Sequence, residues 1–341
     1  MGGEGRIRRL GLSVACGLAL VASTGVAGAG ARSTANAQPY FIALPSAGSS
    51  ELRTGCSSGV AAPLPGGKVL IAGGSASSAG SLVTSAELFD PATDTFTALS
   101  SGLHFPRGQP VAATLPDGKV LIAGGDSSTV LSSAELFDPA TDKFAVLKDR
   151  LHTARWGAVA ATLHDGDVLI AGGENSKFQT LASAELFDPT TGMFTALTSE
   201  LHTARSGAVA ATLPSGDVVI AGGTDSNRAL SSAELFDPAT DKFAVLKSRL
   251  RTAGWDAVAV TLSDGDVLIA GGVGSNGHPT ASAELFDPAG DTFTALPQGL
   301  HTARSGAVAA PLPDGKALIA GGQNQAGDTL RSAEVFVSAP R

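Results

Sequence analysis

Residues 40–48 read YFIALPSAG, a Phe-x-x-Leu phrase that runs into a turn. The phrase returns at 95–102 (TFTALSSG), 143–150 (KFAVLKDR), 193–200 (MFTALTSE), 242–249 (KFAVLKSR) and 292–299 (TFTALPQG). Each later copy ends a longer unit that began upstream, whereas the first copy has no unit in front of it. At the other end of the chain the last unit reads GAVAAPLPDGKALIAGG, continues to RSAEVFVSAPR, and stops before any such phrase. The orphan at the start therefore reads as the strand missing at the end. Phe41, Phe96, Phe144, Phe194, Phe243 and Phe293 open six such strands, against six Gly-Gly doublets that begin at Gly73, Gly124, Gly172, Gly222, Gly271 and Gly321.

The doublets recur every 48–51 residues, a period that belongs to propeller blades or helical arrays. Local pattern decides between the two. Each unit holds four short runs, of the types GAVAATL, KVLIAGG, SAELFDP and FTAL, separated by Asp-Gly, Gly-Gly and Asp-Pro punctuation. None is long enough for a helix. LPDGKVLIAGG reads as strand, tight Asp-Gly hairpin and buried strand. FDPATDTF sets Pro second in a turn that Asp opens. Four antiparallel strands repeated about an axis predict an all-β fold, a six-bladed β-propeller of four-stranded antiparallel blades. The small side chains of GAVAATL suit the crowded innermost strand. VLIA, apolar on both faces, suits a strand sandwiched between blades, and AELFD alternates as a strand nearer the rim should. Pairing of residues 40–45 with the C-terminal blade would close the ring, tie down both termini and leave no folded part to follow Arg341.

Residues 1–37 differ from the rest. Arg6, Arg8 and Arg9 precede an apolar stretch over 10–31, followed by Ala35-Asn36-Ala37. This three-part layout predicts a secretory signal peptide, cut after Ala37, with the propeller over 38–341. The expected location is secreted or periplasmic, and the expected state a monomer. The chain has 341 residues and a net charge of −8, and cleavage would take away four Arg and Glu4 and make it more acidic still. Without basic clusters, neither nucleic acid nor an anionic membrane surface is expected as a partner. Cys16 leaves with the leader, so Cys56 has no intramolecular partner and packing must supply the stability.

The Gly-Gly doublet after the second strand, the aromatic-Asp-Pro ending the third (LFDP) and the aromatic opening the fourth resemble the kelch-repeat family of galactose-oxidase-like propellers. The likeness spans about residues 40–341. Phe89, Phe137, Phe187, Phe236, Phe286 and Phe336 stand where the family often has Tyr, and Phe also replaces the Trp that commonly opens the fourth strand. Both swaps keep packing volume and lose a polar handle. Copper oxidation of the galactose-oxidase type, which the resemblance would suggest, needs tyrosines and a crosslinking Cys. The chain has one Tyr, Tyr40, and that activity is excluded.

Alternation places the lead-in to each inner strand and each Gly-Gly loop on one face, the one that the resemblance implies for ligands. Arg107, Arg155, Arg205 and Arg304 recur there, each three residues after a His (His104, His152, His202, His301). Where that Arg is lost, to Cys56 and Gly254, the earlier His is Arg53 or Arg251. Each unit also keeps one Glu in its third strand: Glu87, Glu135, Glu185, Glu234, Glu284 and Glu334. Two readings fit. Each Arg locks a blade by meeting Glu or a carbonyl, or the arginines form a basic ring at the mouth that takes an acidic ligand.

Specific chemistry belongs where the repeats disagree. Trp156 and Trp255, the only tryptophans, follow the Arg position directly. Asp256 comes next, where Gly157 and Gly207 stand in sister units, and Asp126, Glu174 and Asp225 lie at the start of the Gly-Gly loops. Two aromatic platforms flanked by carboxylates suit a sugar face and its hydroxyls. No CxxC, HExxH, Gly-x-Ser-x-Gly or P-loop occurs. Histidines about 50 residues apart around a ring do not share a metal, and no metal or cofactor is expected. The expected function is a binding scaffold for a protein or glycan. The alternative is a sugar isomerase or mutarotase that uses carboxylates and the Arg/His ring at the mouth for proton transfer.

Overall fold

The computed structural model describes residues 38–339 other than 47 and 78, so the signal peptide expected over 1–37 lies outside the described residues. The described chain forms six four-stranded antiparallel sheets. Blade 2 is representative: Val111–Thr114, Val120–Ala123, Ala134–Asp138 and Lys143–Val146 pair in sequence order from the axis outward. Among the described residues, helical structure is limited to one 3₁₀ turn, Gly48–Ser50, and no helix is long and apolar enough to cross a membrane.

Closure takes the form that the orphan strand implied. Tyr40–Ala43 pairs antiparallel with Ala333–Val337, with Phe41 opposite Phe336 and Ala43 opposite Glu334. The Leu44 N–H extends the ladder to the Ala333 carbonyl at 2.9 Å. Phe137 faces Phe144 in the same way inside blade 2, so the closing strand takes the register of an outer strand joined through a turn.

The second strand explains how the blades hold together. In VLIA, alternate side chains point to opposite faces of the sheet, and all four residues are buried in every blade. Leu70 and Ala72 pack on Val120, Ile122 and Phe137 of blade 2. Val69 and Ile71 face the other way, onto Leu318 and Val335 of blade 6. Six such apolar clusters serve six blade junctions. The third-strand Phe is 0–1% exposed in every blade. It packs tilted on the fourth-strand Phe with ring centroids 4.6–5.1 Å apart, the arrangement that aromatic quadrupoles favour.

Hydrogen bonds also link the blades along the axis. At the Asp-Gly end, the Thr114 hydroxyl donates to the Pro63 carbonyl at 2.7 Å, Thr162 to Thr114, Thr212 to Thr162, and Thr261 to Thr212 at 2.8–2.9 Å. At the opposite end a circle of backbone hydrogen bonds links the blades, and it shapes the site.

Candidate functional site

On the Gly-Gly face each lead-in segment lies against its own Gly-Gly loop. Trp156 bridges to Glu174, Gly108 to Asp126, Ser206 to Thr224 and Ser305 to Gln323. Blade 5 extends this to a two-residue ladder, Gly254–Trp255 with Val273–Gly274. One residue further on, all six blades turn left-handed: Ser58, Gln109, Gly157, Gly207, Asp256 and Gly306 have φ between 44° and 62°. This turn aims each N–H at the carbonyl of the neighbouring blade. Ser58 donates to Gly306, Gln109 to Ser58, Gly157 to Gln109, Gly207 to Gly157, Asp256 to Gly207 and Gly306 to Asp256, at 2.7–3.1 Å. Six backbone hydrogen bonds thus form an unbroken circle about the axis.

Three of the six positions hold glycine, which adopts positive φ without steric penalty. The other three hold Ser58, Gln109 and Asp256, for which a left-handed backbone costs about 1 kcal/mol each. Their side chains converge on the mouth. Gln109 and Asp256 are three places apart on the six-membered circle, hence diametrically opposite, and they meet. The Gln109 Nε2 donates to the Asp256 carboxylate at 3.2 and 3.4 Å. The cavity they share with Ser58 measures about 130 Å³. Burial pushes the Asp256 carboxyl up to about 6, with the Gln109 hydrogen bond opposing and the charge of Glu174 adding to the rise. Burial likewise raises Glu174, against a hydrogen bond from Ser206, and raises Asp126.

The sequence-predicted residues divide. Asp256 and Glu174 come together electrostatically at the mouth. Trp156 and Trp255, half-buried on blades 3 and 5, each stand one residue before the circle, paired with Glu174 and Val273, and are not among the residues that line the cavity. Asp126 lies over Gly108. Asp225 turns away, because its carboxylate accepts from the N–H groups of Asn227 and Arg228 at 3.1 and 3.0 Å and so caps its own loop. Gln109 and Ser58 were not singled out from the sequence. Their signal was a non-glycine residue in a column that glycine otherwise fills.

The four arginines expected at the mouth do not reach it. Arg107, Arg155, Arg205 and Arg304 are 0–1% exposed, packed beneath the Gly-Gly loops. In each, one terminal nitrogen donates to the carbonyl of the first doublet Gly and to a Ser carbonyl at 2.7–3.0 Å. The other donates to that Ser hydroxyl and to the third-strand Glu, which lies 2.8–3.1 Å away. The basic ring is therefore a set of buried clamps. Arg53 and Arg251 do not replace them: their side chains are exposed, and only their backbone N–H groups reach Glu87 and Glu284.

A kelch-motif profile matches residues 56–102, 107–149 and 204–248. A solved structure titled "Structure of YjhT" superposes with a TM-score of 0.70 at 17% identity, covering 85% of this chain and 96% of that one. The chain is a six-bladed β-propeller that carries kelch motifs in three of its segments. No curated protein matches the sequence, and at that identity the structural likeness speaks for the fold alone.

One property of this propeller's mouth can be read in solution. The folded-state value of Asp256, about 6, lies above its ordinary 3.8, so the folded form holds the proton more tightly. That stabilisation is complete below about pH 4 and is lost as pH rises through about 6. Between pH 4 and 7 the propeller should lose on the order of 2 kcal/mol, a melting-temperature drop of about 3 °C. Asp256→Asn, neutral throughout, should abolish this drop in thermal melts. A drop of the same size in the variant would assign it to other groups.

Proposed function

We propose that this kelch propeller is an exported binding module that takes the terminal sugar of a glycan in the mouth of its channel, acting as a monomer. The observation that carries this is the Asp256–Gln109 pair. It bridges the channel from two left-handed positions whose counterparts on three of the other four blades are glycine. Strain that the circle does not require points to a role in a site. A carboxyl, an amide and the Ser58 hydroxyl are the donors and acceptors that sugar hydroxyls need. Trp156 and Trp255, one residue before Gly157 and Asp256 in the chain, would supply aromatic faces to a ligand that extends past the cavity. A cavity of about 130 Å³ holds on the order of ten waters, enough for one ring that displaces them.

The test is a glycan array followed by titration of the best hit. Asp256→Asn, and the double variant Trp156→Ala/Trp255→Ala, should each weaken binding at least tenfold while retaining the fold by circular dichroism. Undiminished binding in the double variant would remove the aromatic platform, and undiminished binding in both would move the ligand elsewhere. A protein ligand would instead register as affinity that is blind to Asp256.

A second reading is favoured by the same carboxyl. A group that titrates near 6 beside a second carboxylate is poised for proton transfer, as a mutarotase or isomerase requires. Accelerated anomer exchange of a reducing sugar, followed by NMR and lost in Asp256→Asn, would decide for catalysis.

A further inference from the structure

Four blades fill the space beneath the Gly-Gly loop with an arginine head, and two do not. Yet every acceptor that surrounds the guanidinium is kept in all six. In blade 2 these are the Gly124 and Ser133 carbonyls, the Ser133 hydroxyl and Glu135. Their counterparts are Gly73, Ser85 and Glu87 in blade 1, and Gly271, Ser282 and Glu284 in blade 5. In blade 1 the vacancy is largely filled. The Cys56 thiol sits in it, 3.7 Å from the Gly73 carbonyl, and about 10 Å³ remains, no more than one water needs.

Blade 5 differs because Gly254 puts no side chain into the space. A cavity of about 30 Å³ remains, lined among others by Gly254, Gly271, Ser282 and Glu284. That is room for about two waters, in the range of a flat cation with four heavy atoms. Glu284 is 3% exposed, and its two oxygens accept the backbone N–H groups of Arg251 and Thr252 at 2.8 and 2.7 Å. Among the described residues it has no cationic side chain within salt-bridge distance, whereas Glu135, Glu185, Glu234 and Glu334 each have an arginine. A buried carboxylate without a countercharge is unfavourable. The site offers acceptors and negative charge in the places where the sister blades hold a guanidinium.

We propose that the blade-5 cavity is a binding site for a guanidinium cation from outside the chain, which completes in trans the clamp that the other blades make in cis. The flat cation would donate to the Gly271 and Ser282 carbonyls, the Ser282 hydroxyl and Glu284. The neutral isostere urea carries no charge to offset Glu284 and presents its own carbonyl to a shell dominated by acceptors, so it is rejected. This site is separate from the mouth and does not depend on the sugar reading.

The probe is guanidinium chloride at 1–50 mM, far below denaturing strength (on the order of molar), with ionic strength held constant by NaCl. In wild type the melting temperature should rise saturably by about 2–3 °C, with matching heat in calorimetry. Urea at equal concentration should give neither. Glu284→Gln should weaken binding at least tenfold. Ser282→Ala, which leaves the carboxylate in place and serves if the first variant folds poorly, should weaken it about fivefold. Methylguanidinium and a short arginyl peptide, as further arms, distinguish a small solute from a side chain of a partner. No saturable effect below 50 mM, an equal effect from urea, or unchanged binding in both variants would overturn the proposal.

Discussion

Replacing Arg107 by Met should lower the stability of the propeller by about 3 kcal/mol and its melting temperature by on the order of 6 °C. Met keeps most of the apolar stem volume, so the loss isolates the guanidinium. That group is wholly buried and holds two carbonyls, a hydroxyl and Glu135 at 2.8–3.3 Å. Without it Glu135 becomes a buried carboxylate without a countercharge, and the Gly124 carbonyl loses its guanidinium donor. Breaking a buried pair on one side costs about 3–5 kcal/mol. The lower figure is expected because Glu135 still accepts the N–H of His104 at 2.8 Å and contacts its Nδ1 at 2.9 Å. Blades 1 and 5 also fold with a carboxylate held by backbone N–H groups alone. Pairing the change with Glu135→Gln should recover part of the loss, since the double variant has no stranded charge. A melting temperature within 1 °C of wild type for Arg107→Met would mean that the clamp contributes nothing to stability.

The elements that could be placed from sequence were those with a strong local signature. VLIA, Asp-Gly and LFDP each dictate a backbone shape within a few residues, and six repetitions average out accidents. Even the long-range closure was legible, because it is a counting argument: one outer strand too many at residue 41 and one too few after residue 337. The direction of the arginines was not legible. Recurrence of Arg107, Arg155, Arg205 and Arg304 suits a buried clamp and an exposed ring equally well. What separates them is whether the side chain points under the loop or into the channel, and that depends on the left-handed residue two places later. Gly157, Gly207 and Gly306 hint at such a turn. Ser58 and Gln109 disguise it, since neither is a residue that positive φ ordinarily selects, and Asp256, though tolerated there, breaks the glycine column. Asp225 was misplaced for a related reason. A carboxylate two residues before Asn227 reads as acidic lining until its short reach to its own loop amides is considered.

Phe41→Ala should cost about 3–5 kcal/mol, and the way it fails should differ from that of its counterpart, Phe243→Ala. Both rings are buried, 5% and 6% exposed, and both lie on a third-strand Phe, with centroids 5.1 and 4.9 Å apart. The equilibrium loss should therefore be similar. The strand of Phe243 is joined through an Asp-Pro turn to the strand it pairs with, so weakened packing leaves it tethered in register. Residues 40–43 reach Ala333–Val337 from the far end of the chain, held there by the ladder, by Phe41 in the junction between blades 5 and 6, and by Leu44 in the junction between blades 6 and 1. Loss of the Phe41 ring should free this strand before the rest of the propeller unfolds. Hydrogen exchange at 334–337 should then accelerate by a factor of ten or more under native conditions. The bared edge of the third strand should promote self-association on warming. In Phe243→Ala, protection of 334–337 should stay near wild type, and blade 4 should open no earlier than the others. If the two variants show the same exchange pattern in blade 6, the closing strand is not where the ring first opens, and its hold on the circle is no weaker than a covalent turn.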